Sequence, residues 1–259
     1  VHYGLRLPSL ECDFLKVTPT AGRGTGESFR QFPVQPGDYI IADRGYCTAA
    51  GIHYLAAAGA YVCVRVNAKT LPLQTPVGEV FDLLAHVRAL HTAGAEAAWP
   101  VQIPALQAPP VPGRLCARRK SEAAIRRSQH AIRQHARQQG YRLNPETLVA
   151  NEYIILFTTF PADRFPVAAV LEWYRIRWQI ELVFKRFKHL AGLGHLPKYD
   201  PASARAWLYG KLLTCLLTEK LILHAHAISP WGSEVAPAEE PVAGVPLHAA
   251  PSHPRRGPG

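Results

Sequence analysis

The chain has 259 residues and a formal net charge of +10, from 29 Lys and Arg against 19 Asp and Glu. A charge of that size and sign favours a polyanionic partner, nucleic acid ahead of a membrane surface, and no run approaches the ~18 uncharged apolar residues of a spanning helix. The five cysteines (Cys12, Cys47, Cys63, Cys116, Cys215) are dispersed without a CxxC pair, which argues against a zinc site or a disulfide frame and for reduced thiols in a cytosol.

The twelve histidines are scattered as well, so no histidine metal site is expected. The opening residues Val1-His2-Tyr3-Gly4 lack the basic-then-apolar order of a leader. Met is absent altogether, and the chain is expected to be a fragment or the product of a gene truncated at its 5′ side.

In chain order, His2–Leu7 and Leu10–Thr18 read as two strands joined at Pro8-Ser9. The second alternates, with Glu11 and Asp13 on one face and Cys12 and Phe14 on the other. A solvated strand face explains those acids with less effort than catalysis does. Thr20–Gly26 is a Gly-rich loop, and no Lys-Ser/Thr follows it into a helix, so it is no phosphate-binding loop. Asp38–Ala42 is a short apolar strand that ends in Asp43-Arg44-Gly45-Tyr46. A strand delivering an Asp at its C-terminal end presents a carboxylate at a sheet edge; the plainer reading is a turn or helix-capping Asp. A helix at Thr48–Ala58 and a buried strand at Ala60–Asn67 follow.

The texture changes over 68–151. Val80–Ala93 fits helix and strand equally, Trp99–Leu106 looks extended, and the Pro pairs after it mark a loop. Arg114, Arg118, Arg119, Lys120, Arg126, Arg127, Arg133, Arg137 and Arg142 make the most basic segment. Within it Ser121–Gln139 reads as a long helix ended by Gly140. Its apolar content is mostly Ala, so it is either a solvated helix or one that contacts phosphates through Arg126, Arg127 and Arg133. Glu152–Phe160 is a strand by its β-branched and aromatic content.

A helix then begins near Val167 and carries Tyr174 to Lys188. At about 100° per residue, Ile176, Ile180, Val183, Phe187 and Leu190 make one apolar stripe, with Tyr174, Arg177, Glu181 and Lys188 on the side away from the core. Exposed i,i+4 pairing alone would account for the charges. Pro201–Ala227 is a second, apolar helix, and residues 229–259 read as a disordered tail.

The spacing Tyr174, two residues, Arg177, three residues, Glu181, six residues, Lys188 resembles the signature of DDE transposases of the insertion-sequence-four family. Asp43-Arg44-Gly45-Tyr46 resembles the second-Asp motif of the same family. The resemblance covers about residues 1–66 and 150–228. It implies an α/β, RNase H-like mixed sheet with flanking helices: a first part of the core at 1–67, an insertion subdomain at 68–151 before the Glu helix, and a second part at 152–228. It further implies Asp43 and Glu181 as catalytic, metal-holding carboxylates for Mg²⁺ or Mn²⁺, and Tyr174, Arg177 and Lys188 as DNA contacts. The implied partner is double-stranded DNA at terminal inverted repeats, with a homodimer in a synaptic complex compatible with it, in a bacterial, nucleoid-associated setting. His2–Leu7 resembles the family's second strand, so its first catalytic Asp is expected upstream of Val1. The chain is then expected to bind DNA without cutting it. A non-catalytic DNA-binding remnant and an unrelated RNase H-like nuclease are the alternatives.

Overall fold

The computed structural model describes residues 2–18, 27–66, 71–105, 107–189, 191–193 and 200–228. The Gly-rich loop at 20–26, Asn67, Leu190 and the tail at 229–259 lie outside them. Two compact units divide the chain, residues 1–195 and 196–259.

The first unit opens with an antiparallel hairpin, β1 (His2–Leu5) and β2 (Cys12–Lys16). Asp13 faces solvent and pairs with Arg6 at 2.6 Å, as a solvated strand face would. The main sheet is built from β3 (Tyr39–Ala42), β4 (Tyr61–Arg65), β5 (Glu96–Ile103), β6 (Val111–Arg119) and β7 (Tyr153–Thr158), in the order β3-β4-β7-β6-β5. The β3–β4 pair is parallel, bridged by helix α1 (Ala49–Ala57), and every other pair is antiparallel. This is the mixed, RNase H-like sheet with flanking helices that the sequence implied.

Alternation along the strands gives the sheet two apolar faces. Val62 and Val64 of β4 join Leu115, Phe157, Ile52 and Leu55 on the α1 side. Cys63 joins Cys116, Leu156, Val170 and Leu171 on the other, under helix α5 (Val167–Ile176). Several of these side chains have no solvent exposure at all, which is worth about 1.5–3 kcal/mol for each large one. Burial also pushes both thiols up, Cys116 to about 11, so they act as small apolar groups.

Two readings of 68–151 change. Its ambiguous stretch forms a short helix, α2 (Leu83–Arg88), capped by Asp82. The segment after the Pro pairs is strand β6, which puts β5 and β6 into the core sheet rather than into a body of their own. Arginines disguise that strand: Arg114 donates to the carbonyls of Phe160 and Phe165, and Arg118 pairs with Glu96 at 3.6 Å. Helix α3 (Glu122–Gln139) matches its expected span, with Ser121 accepting from Ala124 N–H and Gly140 left-handed at φ 69°. Helix α4 (Pro145–Asn151), capped by Asn144, fastens it: Ser128 donates to the Asn151 side chain, and Lys120 to the Asn151 carbonyl.

The helix expected to run unbroken from Val167 is two helices, α5 and α6 (Trp178–His189), meeting at Arg177. Arg177 N–H bonds Tyr174 O, and Ile180 N–H bonds Arg177 O, both at 3.1 Å and both i→i+3, so the chain tightens there. The second unit is described by its one long helix, α7 (Pro201–Ile228), whose first turn Asp200 caps through Ser203 N–H at 2.8 Å.

Candidate active site

Asp43 leaves β3 at its C-terminal end and starts a 3₁₀ turn over Arg44–Tyr46, its carboxylate accepting from Arg44 N–H at 2.7 Å. Both readings of this Asp therefore hold at once, since it caps a turn and stands at the sheet's end. Tyr46 anchors the turn, packing on Phe29 and Phe32 and bonding the His2 ring at 3.1 Å. Burial, then Glu27, pushes its phenol up to about 12.

The second acid arrives from far along the chain. Glu181 lies in the first turn of α6, where its carboxylate accepts from Arg177 at 2.7 Å. The same guanidinium reaches Asp43 at 3.8 Å through its other terminal nitrogen. One cation thus spans the two carboxylates, whose separation is limited to those two contacts and the width of a guanidinium. The Arg177 side chain is only 17% exposed, while Asp43 and Glu181 are 53% and 52% exposed. Burial works against its charge, and Glu181, then Tyr174 and Asp43, more than restore it. Its Nε is buried without a hydrogen-bond partner among the described residues.

Tyr174 does not lie on the open side of the helix. It is buried in the α5 core, and its hydroxyl donates to Asp43 at 3.4 Å. Helix α5 packs on the sheet, so Tyr174 turns toward Asp43 from beneath a core layer, with the Arg177 guanidinium 5.6 Å from the centre of its ring. Burial and then the Asp43 charge raise its phenol, with Arg177 and Arg65 pulling the other way. Lys188 is exposed on α6 seven residues past Glu181 and makes no ion pair among the described residues. Arg126, Arg127 and Arg133 are exposed on α3 and make no ion pair among the described residues.

Arg65 is the residue that sequence reasoning missed. Ile41 of β3 pairs with Cys63 of β4, and Asp43 and Arg65 each lie two residues farther on, so they share a face and an end of the sheet. The Arg65 charge acts on both Tyr174 and Lys120. Only the β3–β4 register reveals this, and no local motif carries it.

Asp43 and Glu181 offer hard oxygen donors, half open to solvent, of the kind a divalent cation takes. No group of three His, Cys, Asp or Glu that would hold a metal forms among the described residues. The pair fits two positions of such a site and does not complete it.

Residues 16–217 match the family described as Transposase DDE domain. The chain is 32% identical over 216 residues to the putative transposase InsL for insertion sequence element IS186A of Escherichia coli (strain K12), covering 82% of this chain and 58% of that protein. The same figures hold for the transposase for insertion sequence element IS421 of Escherichia coli. A shorter match, 36% over 63 residues, links it to the transposase for insertion sequence element IS231F of Bacillus thuringiensis subsp. israelensis, covering 24% of this chain and 13% of that one. The chain thus spans a little over half the length of the first two relatives.

Proposed function

The chain belongs to the DDE transposase family, and on that premise we propose that it works in cut-and-paste DNA transposition, at the ends of a mobile element. Transposases of this family generally use a divalent metal; here Mg²⁺ or Mn²⁺ would sit on Asp43 and Glu181. When bound, the metal would stabilise the entering and leaving oxygens of an in-line attack on a phosphodiester. The observation carrying this reading is the single guanidinium of Arg177, which gathers acids from β3 and α6 at one end of the sheet. Arg177 and Lys188 would meet DNA phosphates beside them, with Tyr174 holding Asp43 in place through its hydroxyl.

A second part of the surface serves the same partner. On α3, Arg126, His130, Arg133 and Arg137 recur at spacings of four, three and four, making one exposed row that Arg142 continues past Gly140. Arg133, Arg137, Arg142 and Tyr141 border a shallow depression there that is open to solvent. The row is about 16 Å long at 1.5 Å per residue, enough to follow two or three phosphates of one strand. We place duplex DNA, in particular terminal inverted repeats, against it, with two copies of the protein pairing two ends.

Two carboxylates supply too few oxygens to organise two metal ions, each of which seeks about six. The expected behaviour is that the 259-residue chain binds duplex DNA but neither nicks nor joins it in Mg²⁺ or Mn²⁺. A version extended upstream by a strand bearing a third acid, an Asp, should cut transposon-end DNA, and Asp43→Asn or Glu181→Gln should each abolish that cutting. Metal-dependent cutting by the chain as it stands, lost on Asp13→Ala, would move the site to the hairpin.

A further inference from the structure

The Arg177 arrangement is inverted relative to an ordinary surface ion pair. The cation is the buried partner and the two anions are the exposed ones. Its terminal nitrogens face Asp43 and Glu181, while Nε is buried with no acceptor among the described residues. An orphaned buried donor of this kind is costly, and a guanidinium carries five donors in a fixed fork. A phosphate is the acceptor that suits the remaining edge, because two of its oxygens match two adjacent N–H groups. Backbone geometry is compatible with a shift, since Arg177 stands at the joint between α5 and α6 rather than inside either.

We propose that Arg177 is an exchangeable counterion, resting on the two carboxylates until a DNA phosphate takes its guanidinium and leaves Asp43 and Glu181 free for a divalent cation. This rests on the reading of the carboxylates as the metal site and of DNA as the partner. Without DNA, the guanidinium neutralises the acids and its charge repels an incoming cation. With DNA, that charge is matched by the phosphate, and the acids face each other unpaired. Metal and DNA then bind cooperatively, and the coupling is reciprocal, each tightening the other by the same factor. The device would keep metal-loaded carboxylates scarce until substrate is in place.

The test uses the 259-residue chain and Tb³⁺ as the metal probe, read by luminescence sensitised from the protein's aromatic residues, among which Trp178 adjoins Arg177 and is half exposed. Arg177→Gln should bind Tb³⁺ about tenfold more tightly than the parent without DNA, the scale of one unit charge a few ångströms away in a half-exposed site. Arg177→Lys, which keeps the charge, should stay within about twofold of the parent. A duplex of 20 base pairs should tighten Tb³⁺ binding by the parent about tenfold and leave Arg177→Gln unchanged. Unchanged or weaker Tb³⁺ binding by Arg177→Gln overturns the proposal. Should that variant not fold, the parent decides alone, and a duplex that leaves its Tb³⁺ affinity unaltered overturns it. The double variant Asp43→Asn, Glu181→Gln tests the underlying reading separately: retained Tb³⁺ luminescence there would mean the carboxylates are not the metal site.

Discussion

Gly113 shows what one missing side chain secures. A Cβ at that position in β6 would stand 2.6 Å from the Phe157 ring and 2.8 Å from the Thr158 carbonyl. Phe157 is fully buried and the carbonyl is backbone, so neither can yield cheaply. Gly113→Ala should therefore cost about 1–3 kcal/mol, visible as a lowered thermal midpoint. Lys120 is strained by charge instead of volume. Burial first, and then Arg65, lower its pKa to about 8. Between that value and the ordinary lysine value the unfolded chain binds more protons than the folded one, so this group makes stability rise with pH across that window. Lys120→Met should flatten the rise above pH 8; an identical pH profile in both proteins would refute it. Asp43 and Glu181 could be read from sequence because each sits in a short local pattern. Arg65 could not, because its place beside Asp43 is set by strand register.

At the scale of elements, the legible ones carry their own punctuation. Ser121 and Gly140 bracket α3, and Thr48 opens α1, accepting from Gly51 N–H at 3.1 Å. Strand β6 hides because its basic residues find partners along the sheet, Arg114 on the Phe160 and Phe165 carbonyls and the exposed Arg118 on Glu96, which no periodicity shows. The joint at Arg177 hides for a related reason: the sequence there has no Gly or Pro, and the break is a change of hydrogen-bond step. On α3 the residues separate into the Arg126, Arg133, Arg137 row and Arg127, which lies about 100° round from Arg126. Replacing the three row arginines by Ala should weaken duplex binding and flatten its salt slope by roughly one unit per lost phosphate contact. Arg127→Ala should leave the slope nearly unchanged. Equal slopes for all variants would reduce the row to a solvated face.

Across the whole first unit, the order β3-β4-β7-β6-β5 puts β7 in the middle and leaves β3 with one strand neighbour among the described residues. The sequence foretold the strands on either side of 68–151, Asp43 at the end of one of them and Glu181 on a later helix. It did not reveal that β5 and β6 complete the sheet, since pairing between distant segments leaves no local trace. Deuterium exchange should separate the strands: β7 amides, bonded on both sides, should resist longest, and the outward amides of β3 should exchange early. Uniform protection across the sheet would contradict this order. The arrangement also has a history written into it. β4 is hydrogen-bonded to β7 from Cys63–Thr158 to Arg65–Leu156, so β4, on which Asp43's own strand leans, has its inner neighbour only once residue 158 exists. At about 5–20 residues per second, a ribosome would leave β4 without that neighbour for on the order of 5–20 s. During that interval Arg177 and Glu181 have not yet been made, and Asp43 waits on a nascent chain with half of its sheet still to come.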